Sequence, residues 1–243
     1  MQNVLVIGAT SAIAEEVAKI YATRGAAIFL VGRDEHKLES ICADLTVRGA
    51  SKCVSHVQDL IELDQHQLIL DTALASLGKF DVALIAHGTL PAQKECDAST
   101  ELALREFSVN ATSVISLSNR IAPMLDRGDT LAVISSVAGD RGRASNYLYG
   151  SAKAAVTTYL SGLGQKLNRE GINVLVVKPG FVDTPMTADF KKGALWAKPG
   201  SVAKGIVRSI DVRKPVAYLP RFWWAIMIII KAIPEFIFRK APL

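Results

Sequence analysis

The sequence predicts an α/β fold: a doubly wound parallel sheet of about seven strands with helices on both faces, plus an apolar helical tail at the C-terminus. Three observations predict it. Short, unbroken apolar runs recur along the chain, as strands buried on both faces require. Helix-length segments separate them, so strand and helix alternate. The first run, Val4 to Ile7, passes through Gly8 into a helix and then a second run within roughly thirty residues, which is a βαβ unit.

Taken in order, Gly8-Ala9-Thr10-Ser11-Ala12-Ile13-Ala14 opens the first helix and Gly25 ends it. Residues 27–31 form the second strand. A polar helix over about 34–48 takes Asp34 as its N-cap. The third strand, 53–57, ends at Gln58-Asp59-Leu60. A helix over about 63–76 precedes the fourth strand, 80–86, which ends in His87-Gly88. One long helical region is expected over about 100–125, with Pro123 near its end. The fifth strand is 130–135, the next long helix about 146–169, and the sixth strand 172–178, closed by Pro179-Gly180. A helix over 200–210 and a strand over 216–219 complete the sheet. With no internal repeat, low-complexity stretch or linker, residues 1–219 read as one domain and 220–243 as a tail.

Composition narrows the function. Hydrophobic residues make up 50% and charged residues 21%, which argues against disorder. The net charge of +5 is compatible with an anionic surface, but no basic block interleaves with aromatics, so nucleic acid is not an expected partner. Cys42, Cys53 and Cys96 form neither a disulfide framework nor a zinc motif, and His36, His56, His66 and His87 lack metal-ligand spacing; no metal is expected. The first strand begins almost at once, leaving no room for a signal peptide, so a cytoplasmic catalytic domain is expected.

The chemistry centres on Tyr149 and Lys153, which a helix places one turn apart on one face. A neighbouring ammonium favours the phenolate and lowers a phenol's pKa, so such a tyrosine can exchange a proton with an alcohol oxygen. The same spacing also arises by chance on many helices. Gly8, Thr10 and Ser11 lie where a strand end meets a helix N-terminus, a natural seat for a diphosphate. At the second strand end stands Gly32-Arg33 rather than an acidic residue, and arginine pairs with a 2′-phosphate; this favours NADP(H), with NAD(H) the alternative. Asp59 can accept from an adenine amino group. Arg33 and Asp59 read equally as a solvated charge and an ordinary loop aspartate.

In Gly8 to Ala14, Asp59-Leu60, Gly88, Asn110, Ser135-Ser136-Val137-Ala138-Gly139, Tyr149-Gly150-Ser151-Ala152-Lys153 and Pro179-Gly180-Phe181-Val182-Asp183-Thr184, the chain resembles the short-chain dehydrogenase/reductases over about residues 3–219. The resemblance implies a Rossmann-type sheet and an NAD(P)-dependent oxidoreductase that reduces a keto group by hydride transfer. It implies that Tyr149 is the general acid of reduction. Lys153 would lower the Tyr149 pKa and hold the nicotinamide ribose. Ser136, thirteen residues before Tyr149, would bond the carbonyl oxygen. Asn110 would hold a water behind Lys153. Spacing sets aside Ser135 and Tyr147. Cofactor contacts are implied for Gly8, Thr10, Ser11, Ala12, Ile13, Arg33, Asp59, Leu60, Gly88, Pro179, Gly180, Val182 and Thr184, besides Tyr149 and Lys153. Ala12 and Ala14 stand where the family has glycines, and Ile85-Ala86-His87-Gly88 replaces Asn-Asn-Ala-Gly, so the adenosine side would be held differently. A homodimer or homotetramer through the two long helices is also implied.

A narrower resemblance rests on Arg141-Gly142-Arg143-Ala144, Asn146 to Ser151 and Pro220 to Leu243. These are similar to reductases of polyprenyl-phosphate-linked 2-keto sugars. That implies a lipid-linked carbonyl substrate and a flavin oxidase partner at the inner face of the membrane. The alternatives are another hydrophobic carbonyl (steroid, sphingoid base or acyl chain) or an NADP(H)-binding sensor without turnover. The apolar run Phe222 to Ile230 is about half the ~20 residues of a spanning helix. Trp223 and Trp224 with Arg221, Lys231, Arg239 and Lys240 suit a membrane surface; packing on the protein's own core or on another subunit is the competing reading. Ile226, Ile228, Ile229 and Ile230 offer no clean helical face, so insertion or deep burial is expected, and Pro234 would kink or end the helix.

Overall fold

A computed structural model describes residues 2–240 of the chain. Seven strands form one parallel sheet: β1 (Asn3–Ile7), β2 (Ala27–Gly32), β3 (Lys52–Val57), β4 (Val82–Ile85), β5 (Thr130–Ile134), β6 (Asn173–Pro179) and β7 (Val216–Leu219). Their order is β3-β2-β1-β4-β5-β6-β7. β1 pairs with β2 on one side (Val4 opposite Ile28) and with β4 on the other (Val4 opposite Val82). Strand order therefore reverses beside β1, and a crevice opens there at the carboxyl ends.

The apolar runs are continuous because both faces are covered. Val4 and Val6 join one core, with α1 (Ala12–Thr23), α2 (Glu35–Val47) and α8 (Pro199–Asp211). Leu5 and Ile7 point the other way, into a core shared with α3 (His66–Leu77), α6 (Ser113–Ile121) and α7 (Tyr147–Asn168). Alternate residues of one strand thus feed opposite layers.

The region expected as one helix over 100–125 is interrupted. A short α4 (Gln93–Ala98) precedes α5 (Thr100–Phe107), which Ser99 caps by accepting from the Leu102 N–H at 3.1 Å. A π-helical turn (Ser108–Thr112) joins α5 to α6, and a 3-10 turn follows at Ala122–Met124. Asn110 sits in the π turn, whose wider winding carries it inward.

The tail folds back onto the domain. It forms α9 (Phe222–Ala232) and α10 (Glu235–Phe238), with Pro234 between them; residues 241–243 lie outside the described residues. The expectation of no clean face is corrected. Trp223, Ile226, Met227 and Ile230 recur at helical spacing, and all four belong to one cluster with Val137 and Tyr218. Only Trp223 (2% exposed) and Met227 (0%) are fully buried along α9, so the helix has a narrow inner face and a wide outer one. Each of these two side chains contributes about 1.5–3 kcal/mol by burial. No helix among the described residues is long and apolar enough to cross a membrane.

Candidate active site

Tyr149, Lys153 and Ser136 converge at the carboxyl end of β5. Tyr149 and Lys153 share one face of α7, with the Lys153 Nζ 5.6 Å from the Tyr149 ring centroid. The Tyr149 phenol hydrogen-bonds to the Ser136 side chain. Ser136 caps the 3-10 turn Val137–Asp140, its Oγ accepting from the Ala138 N–H at 3.1 Å. That bond uses an oxygen lone pair and leaves the hydroxyl proton available to an incoming oxygen. Glycines let the two segments approach. A Cβ on Gly139 would lie 2.7 Å from the Lys153 carbonyl carbon, and one on Gly150 2.9 Å from the Ala138 oxygen.

The two near neighbours that spacing set aside are engaged elsewhere. Ser135 is buried and bonds Thr157 at 2.8 Å and the Lys153 carbonyl at 3.1 Å, away from the phenol. Tyr147 is half exposed and donates to the Asp97 carboxylate.

One electrostatic expectation is corrected. Lys153 does not lower the Tyr149 pKa here; burial pushes that phenol up to about 12, and only the Ser136 hydrogen bond opposes it. The Lys153 ammonium has a partner of its own. It donates to the Ile134 carbonyl at 3.2 Å, and burial holds its own pKa down to about 8. Tyr149 is therefore a protonated phenol at neutral pH, the form a general acid needs.

Asn110 braces the loop after β4. Its Oδ1 accepts from the Thr89 N–H (3.1 Å), and its Nδ2 donates to Thr89 Oγ1 (2.9 Å) and the Glu106 carbonyl (3.0 Å). Gly88 lies between it and the lysine. With φ +155°, a Cβ there would sit 2.7 Å from Asn110 Oδ1 and 3.3 Å from Lys153 Nζ. The Asn110 amide is thus largely committed to Thr89 and Glu106, which leaves one Oδ1 lone pair for the water expected at that position.

The dinucleotide crevice also has residues that fit the group. Gly8 has φ +81°, and its missing Cβ would meet the His87 backbone nitrogen at 2.5 Å. Ala12 and Ala14 lie inside α1 without positive φ, so neither position needs a glycine. Ser11 is the α1 N-cap but its side chain bonds none of the helix N–H groups. The first helical bond runs from Glu15 to the Ser11 carbonyl (2.9 Å), leaving the N–H groups of Ala12 and Ile13 for a diphosphate. Arg33, at the end of β2, is exposed and has no ion pair among the described residues. Asp34 beside it is occupied as the α2 cap, accepting from the Lys37 N–H at 3.1 Å and facing Lys37 Nζ at 3.3 Å.

Where the adenosine is expected, Asp59 Oδ1 accepts from the Ile61 N–H at 3.3 Å. The Leu60 carbonyl takes two bonds, from Ser113 Oγ (2.5 Å) and His66 Nε2 (3.0 Å). Ser113 thereby gives away its only proton, so His87 Nε2, 3.0 Å from Ser113 Oγ, carries a hydrogen. His87 Nδ1 is then a bare acceptor, buried and unpartnered. Burial and nearby Lys153 hold the His87 pKa down to about 3, so this neutral form persists. The departure at Ile85-Ala86-His87-Gly88 was legible in the sequence; the partners His66 and Ser113, distant along the chain, were not.

Among the residues expected to meet the nicotinamide, Pro179 ends β6, and Val182, buried, pairs with Ala197 in an isolated bridge. Thr184 is engaged in its own turn, its N–H donating to Thr187 Oγ1 at 3.2 Å. Gly180 faces the Trp223 indole, which occupies the space of any Cβ. Sequence reasoning missed this contact, because nothing in the motif announces a partner from the tail.

With this geometry in place, the relatives are informative. The family model for short chain dehydrogenase matches residues 2–194. The chain belongs to the short-chain dehydrogenases. It is accordingly an oxidoreductase. It is 30% identical to an uncharacterized oxidoreductase of Mycobacterium tuberculosis, over 98% of this chain and 96% of that one. An uncharacterized oxidoreductase of Streptomyces coelicolor is 31% identical, over 98% and 95%. Among solved structures, an actinorhodin polyketide ketoreductase variant with NADPH superposes with a TM-score of 0.78 at 21% identity, covering 90% of this short-chain dehydrogenase and 95% of that chain. A Burkholderia cenocepacia protein assigned as a dehydrogenase, with bound NADP, gives 0.80 at 18% identity, covering 89% and 91%. At these identities the two structures speak to shared fold.

Proposed function

We propose that this short-chain dehydrogenase is an NADP(H)-dependent ketoreductase that works at a membrane surface on a polyprenyl-phosphate-linked 2-keto sugar. The observation that carries the membrane part is the outer face of the tail. Trp224 (58% exposed), Ile229 (65%) and Phe236 (71%) stand on it with Phe222, Ile228 and Ile237, among Arg221, Lys231, Arg239 and Lys240. Apolar and aromatic groups rimmed by cations suit an anionic lipid interface. The inner face of the same helix packs on Val137, next to Ser136, so a lipid held outside lies near the reacting end. The narrower sequence resemblance, to reductases of decaprenylphosphoryl-2-keto-erythro-pentose, supplies the sugar; a flavin oxidase partner would supply the ketone.

When bound, the reduced nicotinamide supplies the hydride. The chain's own residues do the rest. The Ser136 hydroxyl and the Tyr149 phenol both donate to the carbonyl oxygen, stabilising the charge that grows there. Tyr149 transfers its proton, and Lys153, one turn along the same helix face, would hold the nicotinamide ribose. Arg33 pairs with the 2′-phosphate. Arg33→Ala is expected to weaken NADPH binding about tenfold to a hundredfold, with NADH nearly unaffected. Fluorescence titration with both cofactors checks this, and equal losses would remove Arg33 from the 2′-phosphate site.

Truncation at Leu219 is a poor test, because it would uncover the core beneath Trp223 and Met227. The test is instead NADPH oxidation by the full chain with a farnesylphosphoryl 2-ketopentose held in anionic vesicles. The comparison is a variant carrying serine at the exposed positions Trp224, Ile228, Ile229 and Phe236. Loss of activity on vesicles of about tenfold or more, with activity on a soluble short-chain ketone kept, is expected. Equal activity of the two proteins on vesicles refutes the membrane reading. Turnover of lipid ketones but of no phosphoryl ketopentose would assign another hydrophobic carbonyl.

A further inference from the structure

We propose that Arg143, in the loop between Ser136 and Tyr149, is an anion-binding residue that takes a phosphoryl oxyanion carried by the carbonyl substrate. The inference rests on the ketoreductase reading and adds the group that reads the substrate's charge.

Arg143 lies in the loop that joins Ser136 to Tyr149, so it is tethered at both ends to the carbonyl-binding groups. It is partly buried, and its Nε–H is shielded from solvent without any acceptor. Its recorded side-chain contact is from NH2 to the Met227 thioether sulfur at 3.9 Å, a weak acceptor. No carboxylate pairs with it among the described residues. Burial lowers its pKa with nothing opposing. Met227 shares a cluster with Val137, the residue after Ser136, so its contact with Arg143 ties this cation to the Ser136 end of the loop.

Arg141, two residues earlier, is what a structural arginine looks like here. It pairs with Glu235 at 2.6 Å, reaches the Lys231 carbonyl at 3.4 Å and stacks over the Phe238 ring at 4.2 Å. That clamp already ties the loop to the tail. Arg143 adds no comparable tie, yet it bears the desolvation of a cation. An anionic ligand recovers that cost by accepting the free Nε–H and a terminal N–H together, the fork geometry suited to phosphoryl oxygens. A phosphate at this point, with the keto carbon at Ser136 and Tyr149 and the lipid chain along α9, matches a phosphodiester between sugar and prenyl chain.

The test is calorimetric binding of farnesyl phosphate, farnesol and inorganic phosphate to the full-length protein, with Arg143→Met and Arg143→Lys alongside. Wild type is expected to bind farnesyl phosphate about thirtyfold or more tighter than farnesol. Arg143→Met should erase that preference, and Arg143→Lys should restore part of it. Arg143→Met should melt no lower than wild type, since an unpaired desolvated charge is removed. Inorganic phosphate should compete with farnesyl phosphate in wild type, a readout independent of any variant. Equal affinity of wild type for farnesyl phosphate and farnesol overturns the proposal, as does a preference that survives in Arg143→Met. Binding of inorganic phosphate alone overturns the lipid source of the oxyanion. A protein that passes this test but reduces no phosphoryl ketopentose keeps the anion site and loses the sugar; one that reduces it equally well as Arg143→Met loses the anion site only.

Discussion

Tyr149→Phe is expected to slow carbonyl reduction by about 10²–10⁴-fold while leaving NADPH affinity within a few-fold of wild type. The substitution removes one oxygen and keeps the ring, so the packing of α7 on the turn at Ser136 is retained. What is lost is the proton. Burial pushes the Tyr149 phenol up to about 12, so at neutral pH it is almost wholly protonated and ready to donate. Ser136 keeps its own proton, because its bond with Ala138 is an accepted one. Serine can still stabilise the developing oxyanion but is a much weaker acid, and the residual rate should come from that. Stopped-flow hydride transfer with NADPH and a reducible ketone checks the prediction. Full turnover in Tyr149→Phe would remove the phenol from the mechanism.

Lys153→Met should separate stability from activity. Lys153 is 3% exposed, and burial holds its pKa down to about 8 from an ordinary 10.5. Between those values the unfolded chain binds more protons than the folded one, so folding stability rises with pH through this window. Below pH 8 the whole cost of the buried ammonium applies, on the order of 3 kcal/mol. The bond to the Ile134 carbonyl offsets about 1 kcal/mol of it. Methionine carries neither effect. At pH 7 the unligated variant should melt at or above wild type, and its advantage should shrink toward pH 10.5. Its hydride-transfer rate should fall by about 10²-fold or more, because the group that would position the nicotinamide ribose beside Tyr149 is gone. Thermal melts across pH 6 to 10.5 read the first effect and stopped flow the second. A variant melting well below wild type at pH 7 would mean that the lysine's own bonds outweigh its desolvation.

Much of the site was readable along the chain because its parts are local. Tyr149 and Lys153 are one helical turn apart, and the thirteen-residue spacing that the family resemblance implies between Ser136 and Tyr149 set aside Ser135 and Tyr147. The Gly8 turn and the free arginine after β2 were legible for the same reason. The electrostatics were not. Proximity in sequence predicted a lowered phenol pKa, but burial, a tertiary fact, pushes it up. The expected long helix over 100–125 also missed the π turn at Asn110, a residue that bonds Thr89 across the fold.

By itself the sequence determined the doubly wound sheet, because a strand buried on both faces must be apolar throughout. It also determined the order of the motifs at the strand ends. Only the tertiary structure decided the roles of the tail. The residues Phe222 to Ile230 are nearly all apolar, so composition cannot say which side chains turn inward. The shape of the surface around Val137 and Gly180 selects Trp223 and Met227 for the core and leaves Trp224, Ile228 and Ile229 outside. Likewise two arginines in Arg141-Gly142-Arg143 look equivalent in sequence. Glu235, brought back by the fold, pairs with the first, Phe238 stacks under it, and the second is left without a counter-ion among the described residues. Pairing of buried charge is a property of distance in space, and the chain reveals it only once it is folded.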